Sequence, residues 1–130
     1  MADRADVVRP GTAAPADQPD PGLDQVAYYT SDTIWEIRKR PEKMVILWGG
    51  PIGCELAQAF QRLGSQVTVF SRSDKIMPKE DQEATKIVEN SLRSDGVTFS
   101  YNVNFKGVEC RDGKPPVSMF IEDNQGERTL

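Results

Sequence analysis

The amino-acid sequence predicts an α/β fold, in which a parallel sheet with a helical crossover is followed by a small antiparallel meander. The apolar run MVILW at 44–48 has the length of a strand and no polar alternation, which is typical of a strand buried on both faces. A glycine turn, a helical apolar pattern and a second strand-like run, VTVF at 67–70, follow it. These elements fit within about 27 residues, which indicates a right-handed parallel βαβ crossover.

The first part of the chain predicts no packed structure. Residues 1–22 are rich in Pro, Ala and Asp and contain almost nothing large and apolar after Val8. Such a segment cannot bury enough apolar surface to offset the entropy that is lost on ordering. We therefore expect residues 1–22 to be disordered or extended, order to begin around residues 23–29, and one folded domain to occupy residues 23–130.

Two helices are predicted around the glycine turn. Thr30 and Ser31 are typical N-cap residues, and they predict a short helix that ends before Pro41. The crossover helix has Gly64 placed to end it. Its apolar face would be formed by Ile52, Leu56, Phe60 and Leu63.

The sequence after the crossover predicts one more helix and then strands. The helix would occupy 78–95 with Gly96 at its end, and a third parallel strand would occupy 97–100. The inward-facing residues of this helix would be Ala84, Ile87, Val88 and Leu92. Strand-like runs at 105–110 and 117–121, bounded by turn residues, predict an antiparallel meander. No further parallel strand follows, so we expect the parallel sheet to be incomplete, lacking a final strand.

Composition excludes several function classes. The 20 acidic residues outnumber the 16 basic residues, and the pI is about 4.9, which argues against nucleic acid or an anionic membrane surface as a partner. No apolar run approaches the ~18–20 residues of a membrane span, and the N-terminus does not resemble a signal peptide. A cytoplasmic location is therefore expected.

The chain also lacks the side chains that several catalytic and metal sites need. It has no histidine, which excludes Ser-His-Asp and Cys-His machinery, and we assign it no catalytic residue of its own. Cys54 and Cys110 are far apart and form no CxxC motif, so an ordinary buried thiol is the expected role of either. Two cysteines without histidine supply too few ligands for zinc, and no metal site is predicted.

The glycine turn is typical of a Rossmann-like dinucleotide-binding unit. In that fingerprint the first glycine permits the turn, the second lets the backbone approach the pyrophosphate, and the third lets the helix pack on the strand. Gly50 and Gly53 take the second and third places, whereas the first is Trp48, which would distort the turn or obstruct the cofactor. The helix N-terminus would bind the pyrophosphate. The alternative is a glycine turn that serves close packing alone.

The end of the second strand determines which dinucleotide would bind. An acidic residue there would bind the ribose 2′-hydroxyl of NAD, but this chain has Ser71, Arg72 and Ser73, with Lys75 slightly beyond. A hydroxyl and a guanidinium would instead hydrogen-bond a 2′-phosphate, which favours NADP(H) over NAD(H). The alternative is that Arg72 belongs to a solvated loop.

The residues around this turn resemble a known family. The run GGPIGCELAQAF at 49–60, with LGSQVTV at 63–69, is similar to the nicotinamide-binding domain of the pyridine nucleotide-disulfide oxidoreductase family. This family comprises flavoprotein disulfide reductases such as mercuric reductase, dihydrolipoamide dehydrogenase and glutathione reductase. The resemblance covers roughly residues 20–125, and residues 71–73 look most like the NADPH-using, mercuric reductase-like branch.

The resemblance implies a set of cofactor-binding residues. The turn would flank the pyrophosphate, Glu55 would lie near the nicotinamide, and the end of the second strand would meet the adenosine ribose. Pro51 stands where the family often has an aromatic gate. The implied set is Gly49, Gly50, Pro51, Ile52, Gly53, Glu55, Ser71 and Arg72.

The resemblance also implies a function that depends on parts outside this sequence. In the complete parent enzyme, FAD would accept the hydride, and the FAD-binding and dimerisation domains would be partners of this one. The sequence therefore predicts the dinucleotide-binding portion of an FAD-dependent oxidoreductase, not competent alone. Two alternatives stay open: a regulatory module that senses NAD(P) without chemistry, and a truncated fragment that binds nothing.

Overall fold

The computed structural model describes residues 5–9, 28–30, 33–48, 50–74, 76, 81–109, 118–123 and 126–129. Two helices and seven strands are described, together with a short 3₁₀ helix at Ile34–Glu36. Their bounds are β1 (Asp6–Val8), β2 (Lys43–Leu47), α1 (Pro51–Arg62), β3 (Gln66–Phe70), α2 (Gln82–Ser94), β4 (Thr98–Ser100), β5 (Asn104–Glu109), β6 (Ser118–Asp123) and β7 (Gly126–Thr129). Within the described residues, no helix is long and apolar enough to span a membrane.

The strands form two sheets, which confirms the predicted fold class. The parallel sheet has the order β1-β2-β3-β4, and the antiparallel sheet has the order β5-β6-β7. The strand pair β2–β3 is joined through α1, as the βαβ prediction requires. In that pair Lys43 lies opposite Gln66 and Leu47 lies opposite Phe70, so both strands end at the same level.

The central strand β2 is buried on both faces, because alternate residues point to opposite sides of a sheet. Met44 and Ile46 pack with helix residues of the first hydrophobic cluster, whereas Val45 and Leu47 pack in the second. The lack of polar alternation in the sequence therefore reflects two separate packing partners.

The two clusters place the helices and the antiparallel sheet on opposite faces of the parallel sheet. Helices α1 and α2 contribute the first cluster's Phe60 and Leu92, while β5 and β6 contribute the second cluster's Phe105 and Ile121. Asp95, at the end of α2, accepts hydrogen bonds from Gln58 at 3.0 Å and Arg62 at 3.1 Å, which ties the two helices together.

Helix α1 ends at the predicted glycine. Gly64 has φ +106°, and its N–H donates to the carbonyl of Gln61 while the N–H of Ser65 donates to that of Phe60. This pair of bonds is the Schellman arrangement, which favours glycine at the left-handed position. The predicted apolar face of α1 is correct at Leu56 and Phe60, but Ile52 and Leu63 at its ends are exposed.

The predicted inward face of the second helix is partly wrong. Leu92 is buried and Val88 partly buried, as expected, but Ala84 and Ile87 are exposed. Thr85 is buried in their place, and its hydroxyl donates to the carbonyl of Gln82 at 2.9 Å, so the buried polar group has a hydrogen-bond partner. The helix begins after Asp81, whose side chain accepts from the N–H of Glu83; the predicted start at residue 78 lies outside the described residues.

Strand β1 is the main structural feature that the sequence did not predict. Residues Asp6–Val8 pair in parallel with β2, and Val7 and Val8 are fully buried on its two faces. Order was expected to begin only around residues 23–29, and for this strand the expectation was wrong. The strand is stabilised by β2 and by hydrogen bonds between residues 7–9 and Tyr29, all of which are distant in sequence.

We predict that Gly64→Ala lowers the free energy of unfolding by about 1–2 kcal/mol, because an L-residue is strained at this positive φ. An added Cβ would also meet the guanidinium of Arg40, but a flexible side-chain end can move away. Urea unfolding of both chains measures the difference. Gly107→Ala is a control without positive φ and should have a smaller effect. Equal losses in the two variants would contradict the explanation.

We predict that Asp6→Asn raises the free energy of unfolding at neutral pH. Asp6 is half-buried, and desolvation raises its pKa above the ordinary 3.8. A raised folded-state pKa means that the carboxyl favours the folded state at pH below 3.8 and that this contribution is lost as pH rises through the folded-state pKa. Urea unfolding between pH 3 and pH 7 should therefore show that the free energy of unfolding of Asp6→Asn exceeds that of the unmodified chain by an amount that grows with pH. Asp74→Asn, at an exposed position, is the control. A loss of stability at pH 7 in Asp6→Asn would refute the conclusion that desolvation of the Asp6 carboxylate destabilises the fold.

Candidate functional site

The candidate site lies where β2 and β3 end. Leu47 and Phe70 are register partners, so the described residues that follow β2 (Trp48 and Gly50) and β3 (71–73) emerge at the same edge of the parallel sheet. In open α/β sheets, ligands bind at the carboxyl ends of the strands. The structure thus brings the two predicted halves of the site to one edge.

The start of α1 has the geometry of an anion site. Gly50 is the N-cap, in an extended conformation with φ −80° and ψ 177°, and no side chain caps the helix. Pro51 has no N–H, and the N–H groups of Ile52 and Gly53 belong to the first turn, where an α-helix offers no internal acceptor. Both Pro51 and Ile52 are exposed. The helix therefore presents backbone donors and the positive end of its dipole to this edge.

Space beside Gly50 is open. A Cβ built on Gly50 would meet no heavy atom of the described residues within 4 Å, apart from its chain neighbours. Close packing within the described chain therefore does not require glycine here. This observation speaks against a purely structural role for Gly50. Gly49, which was predicted to belong to the same set, lies outside the described residues.

Trp48 occupies the first place of the fingerprint in a glycine-like conformation. Its φ is +100°, and its carbonyl accepts the N–H of Gly50 at 2.9 Å, which closes a tight turn. A bulky residue in this region is strained by about 1–3 kcal/mol, and the glycine of the fingerprint avoids that strain. Residue 49, between Trp48 and Gly50, lies outside the described residues, so the strain that the structure shows is that of the Trp48 backbone.

The indole of Trp48 does not reach within 4 Å of a Cβ built on Gly50. Its ring contacts Phe105 edge-on, with centroids 6.5 Å apart and planes at 74°, and it packs with the second cluster. The guanidinium carbon of Arg72 lies 4.0 Å from the ring centroid, in a cation–π contact. The indole therefore fills space between the end of β2 and the 71–73 loop and leaves the space beside Gly50 open.

The loop after β3 is held by backbone hydrogen bonds on both sides of Arg72. The N–H of Ser71 donates to Ser100 at 2.9 Å, and the carbonyls of Ser71 and Ser73 accept from Val103 at 2.9 Å and Asn102 at 3.0 Å. Ser71 is buried, and its hydroxyl accepts from the N–H of Ser73 at 3.3 Å. Ser71 thus shapes the loop, while Arg72 and Ser73 are partly exposed; Lys75 lies outside the described residues.

The two remaining singled-out residues of α1 differ in exposure. Glu55 is exposed, on the first turns of the helix. Cys54 is buried in the first cluster, and burial, with a smaller effect from Glu55, raises the pKa of its thiol to about 11. The thiol is therefore protonated at neutral pH, which confirms the expected role of Cys54 as a buried, unreactive side chain. Cys110 lies outside the described residues.

Arg9 is a residue of this edge that the sequence reasoning missed. It follows β1 directly, is 7% exposed, and its N–H donates to the carbonyl of Tyr29 at 2.8 Å. The signal in the sequence was the apolar pair Val7-Val8 before it, which was too short to predict a strand. Among the residues that the structure describes, no group of three His, Cys, Asp or Glu could hold a metal ion.

Comparison with known proteins identifies the family. The family model of pyridine nucleotide-disulphide oxidoreductases matches residues 43–123, from the start of β2 to the end of β6. That span is well over half of the 130 residues. The chain belongs to the pyridine nucleotide-disulphide oxidoreductase family. The family indicates a redox function, since its members are flavoprotein oxidoreductases that use a nicotinamide dinucleotide.

Curated relatives of this family are much longer than the chain. It is 43% identical over 93 residues to a mercuric reductase of Streptomyces lividans. The matched region covers 72% of this chain and 19% of that protein. It is 32% identical over 118 residues to a mercuric reductase of Staphylococcus aureus, and this match covers 91% of this chain and 21% of that protein. The chain thus spans about a fifth of these relatives. A match of 118 residues in a chain of 130 must include part of the first 20, so the resemblance extends further than the expected 20–125.

Solved structures of the family share the fold. The HOCl-induced flavoprotein disulfide reductase RclA of Escherichia coli superposes with a TM-score of 0.72 at 24% identity, over 92% of this chain and 26% of that one. An NADPH-bound, engineered water-forming NADPH oxidase, derived from the Lactobacillus brevis NADH oxidase, superposes with a TM-score of 0.64 at 21% identity, over 93% of this chain and 28% of that one.

We predict that Trp48→Gly is more stable than Trp48→Ala by about 1 kcal/mol. Both substitutions remove the ring contacts, but only glycine relieves the strain of φ +100°. Thermal or urea unfolding of the two variants measures the difference. Trp35, which is 74% exposed, offers a matched pair: at that position Ala should be at least as stable as Gly. If Ala were also the more stable residue at position 48, the positive φ would be wrong.

Proposed function

We propose that this chain is the NADPH-binding portion of an FAD-dependent pyridine nucleotide-disulphide oxidoreductase, which delivers hydride to a flavin held by another part of a longer protein. The observation that supports this most strongly is the open space beside Gly50 at the start of α1. A site of this kind, next to an arginine at the end of the neighbouring strand, suits a phosphorylated dinucleotide.

The pyrophosphate would be bound by the first turn of α1. The N–H groups of Ile52 and Gly53 would donate to it, and the absence of a Cβ at Gly50 would let the backbone approach. No acidic residue lies in the first turn of α1 to repel an anion. The exposed Glu55, farther along the helix, would lie toward the nicotinamide.

The 2′-phosphate would be bound by the loop after β3. Arg72 would donate charge-assisted hydrogen bonds from its guanidinium, whose carbon lies 4.0 Å from the centroid of the Trp48 ring. Gly49, Pro51 and Ser71 would complete the site as backbone and loop-shaping residues.

The engineered NADPH oxidase supports the preference for NADPH. Three of its substitutions replace a consecutive Asp-Ala-Met by Ala-Arg-Ser, and the resulting protein is bound to NADPH. This chain has Ser-Arg-Ser at 71–73, with the same Arg-Ser pair and no carboxylate. Removing a carboxylate removes repulsion of a phosphate, and adding a guanidinium provides attraction.

The chain's own residues would bind and orient the dinucleotide. When bound, the flavin would supply the hydride acceptor. A second candidate, a fragment that binds no dinucleotide, is favoured by Trp48 in the place of the first glycine. A regulatory module that senses NAD(P) would use the same binding residues. Hydride transfer to a flavin in the longer protein would distinguish the oxidoreductase from such a module.

We predict that the chain binds NADPH and that Gly50→Ala weakens this binding by at least about tenfold, because a methyl group would occupy the approach of the pyrophosphate. Stability should be nearly unchanged, since φ is −80° and the space is open. Isothermal titration calorimetry measures the binding, and Gly107→Ala on β5 is the matched control. No binding of NADPH or NADH at millimolar concentration would favour the second candidate.

We predict that Arg72→Glu shifts the preference from NADPH toward NADH by about 10- to 150-fold, the equivalent of ~1.5–3 kcal/mol for one charge-assisted hydrogen bond. Affinities of both dinucleotides for each variant give the ratio. Arg38→Glu makes the same charge change at an exposed position that precedes β2, and it should leave the ratio unchanged. An unaltered ratio in Arg72→Glu would discredit the 2′-phosphate assignment.

A further inference from the structure

The side chain of Arg72 is flanked by two kinds of support. Its backbone lies between Ser71 and Ser73, whose hydrogen bonds to Ser100, Asn102 and Val103 hold the loop against the ends of β4 and β5. Its guanidinium lies 4.0 Å from the centroid of the Trp48 ring. The loop therefore positions the backbone of Arg72, and the indole of Trp48 contacts its guanidinium.

The indole is itself placed by contacts of its ring. It packs edge-on against Phe105 from the antiparallel sheet and belongs to the second cluster. Its N–H is buried with no hydrogen-bond partner in the part of the chain that the structure describes. Hydrogen bonding to described residues thus does not explain this position, whereas packing on one side and the cation–π contact on the other do.

The backbone of Trp48 adds a second, independent observation. Its φ of +100° is a conformation that a bulky residue rarely adopts and that glycine would adopt with less strain. An observed outlier of this kind is grounds for a functional hypothesis. The strained residue, Trp48, is in direct contact with Arg72, the residue proposed to bind the 2′-phosphate.

We propose that Trp48 is a positioning residue which sets the preference for 2′-phosphorylated dinucleotides by holding the guanidinium of Arg72 on its indole. This inference rests on the proposed function. An arginine that is already ordered loses less side-chain entropy when it binds a phosphate. Trp48 thereby strengthens binding of the phosphorylated ligand and leaves binding of the unphosphorylated one almost unaffected.

The test compares Trp48→Leu with Trp48→Phe in the full chain of 130 residues. Both keep a side chain at the same positive φ, so backbone strain is matched, but only phenylalanine retains a ring face. The probes are 2′-phospho-ADP-ribose and ADP-ribose, which differ in the 2′-phosphate alone. Isothermal titration calorimetry gives the ratio of their affinities.

We expect the ratio to fall by about 2- to 10-fold in Trp48→Leu and to be largely retained in Trp48→Phe. In an Arg72→Leu background, Trp48→Leu should cause no further change, because the indole acts through the guanidinium. Trp35→Leu, at a highly exposed tryptophan, is the matched control and should leave the ratio unchanged. Circular dichroism establishes that each variant is folded.

A measurement that needs no substitution at position 48 covers the case in which Trp48→Leu does not fold. In Trp35→Phe, Trp48 is the single tryptophan, and its emission should respond more strongly to saturating 2′-phospho-ADP-ribose than to ADP-ribose. Equal responses would overturn the inference.

The outcomes separate the inference from the proposed function. If the unmodified chain binds neither probe, both fail. If it binds them but Trp48→Leu leaves the ratio unchanged, the inference fails and the proposed function stands. If Trp48→Leu strengthens binding of both probes alike, the indole obstructs the site, which also overturns the inference.

Discussion

The in-register pairing of β2 with β3 determines where the candidate site forms. Leu47 and Phe70 are opposite each other at the last position of both strands, so the turn into α1 and the loop after β3 begin side by side. One register places the helix N-terminus and Arg72 at the same edge. A shift of the register by one residue would exchange the two faces of β2 and separate these groups.

The sequence predicted the parts of the fold whose signals are local. The doubly buried β2, the glycine that ends α1 and the strands of the antiparallel meander each have a signature within a few residues. The turns predicted at 112–113 and 124–125 lie outside the described residues. Strand β1 has none, because three residues acquire their stability from β2, more than thirty positions away. The buried face of α2 was misjudged for a related reason: Thr85 is polar by type, but a hydrogen bond one turn back satisfies it.

The candidate site was predictable in its positions but not in its contacts. Spacing from the strand ends assigned Gly50 and Arg72 to one edge, and the structure brings both there. Spacing alone could not reveal that the indole of Trp48 turns toward Arg72, because that choice depends on Phe105 in the antiparallel sheet. Likewise, spacing alone could not reveal that Ser71 is buried, because its backbone bonds to Ser100 and Val103, which are distant in sequence. Its hydroxyl accepts from the N–H of Ser73 within the loop.

The double burial of β2 has a consequence for the way the molecule comes apart. Neighbouring residues of this strand belong to different hydrophobic clusters, one shared with the helices and one shared with the antiparallel sheet. Loss of either layer would expose one face of β2, and β1 and β3 also contribute to both clusters, so the two layers are energetically coupled through the parallel sheet. The chain should accordingly lose both layers in one cooperative transition, although its two sheets are separate in hydrogen bonding.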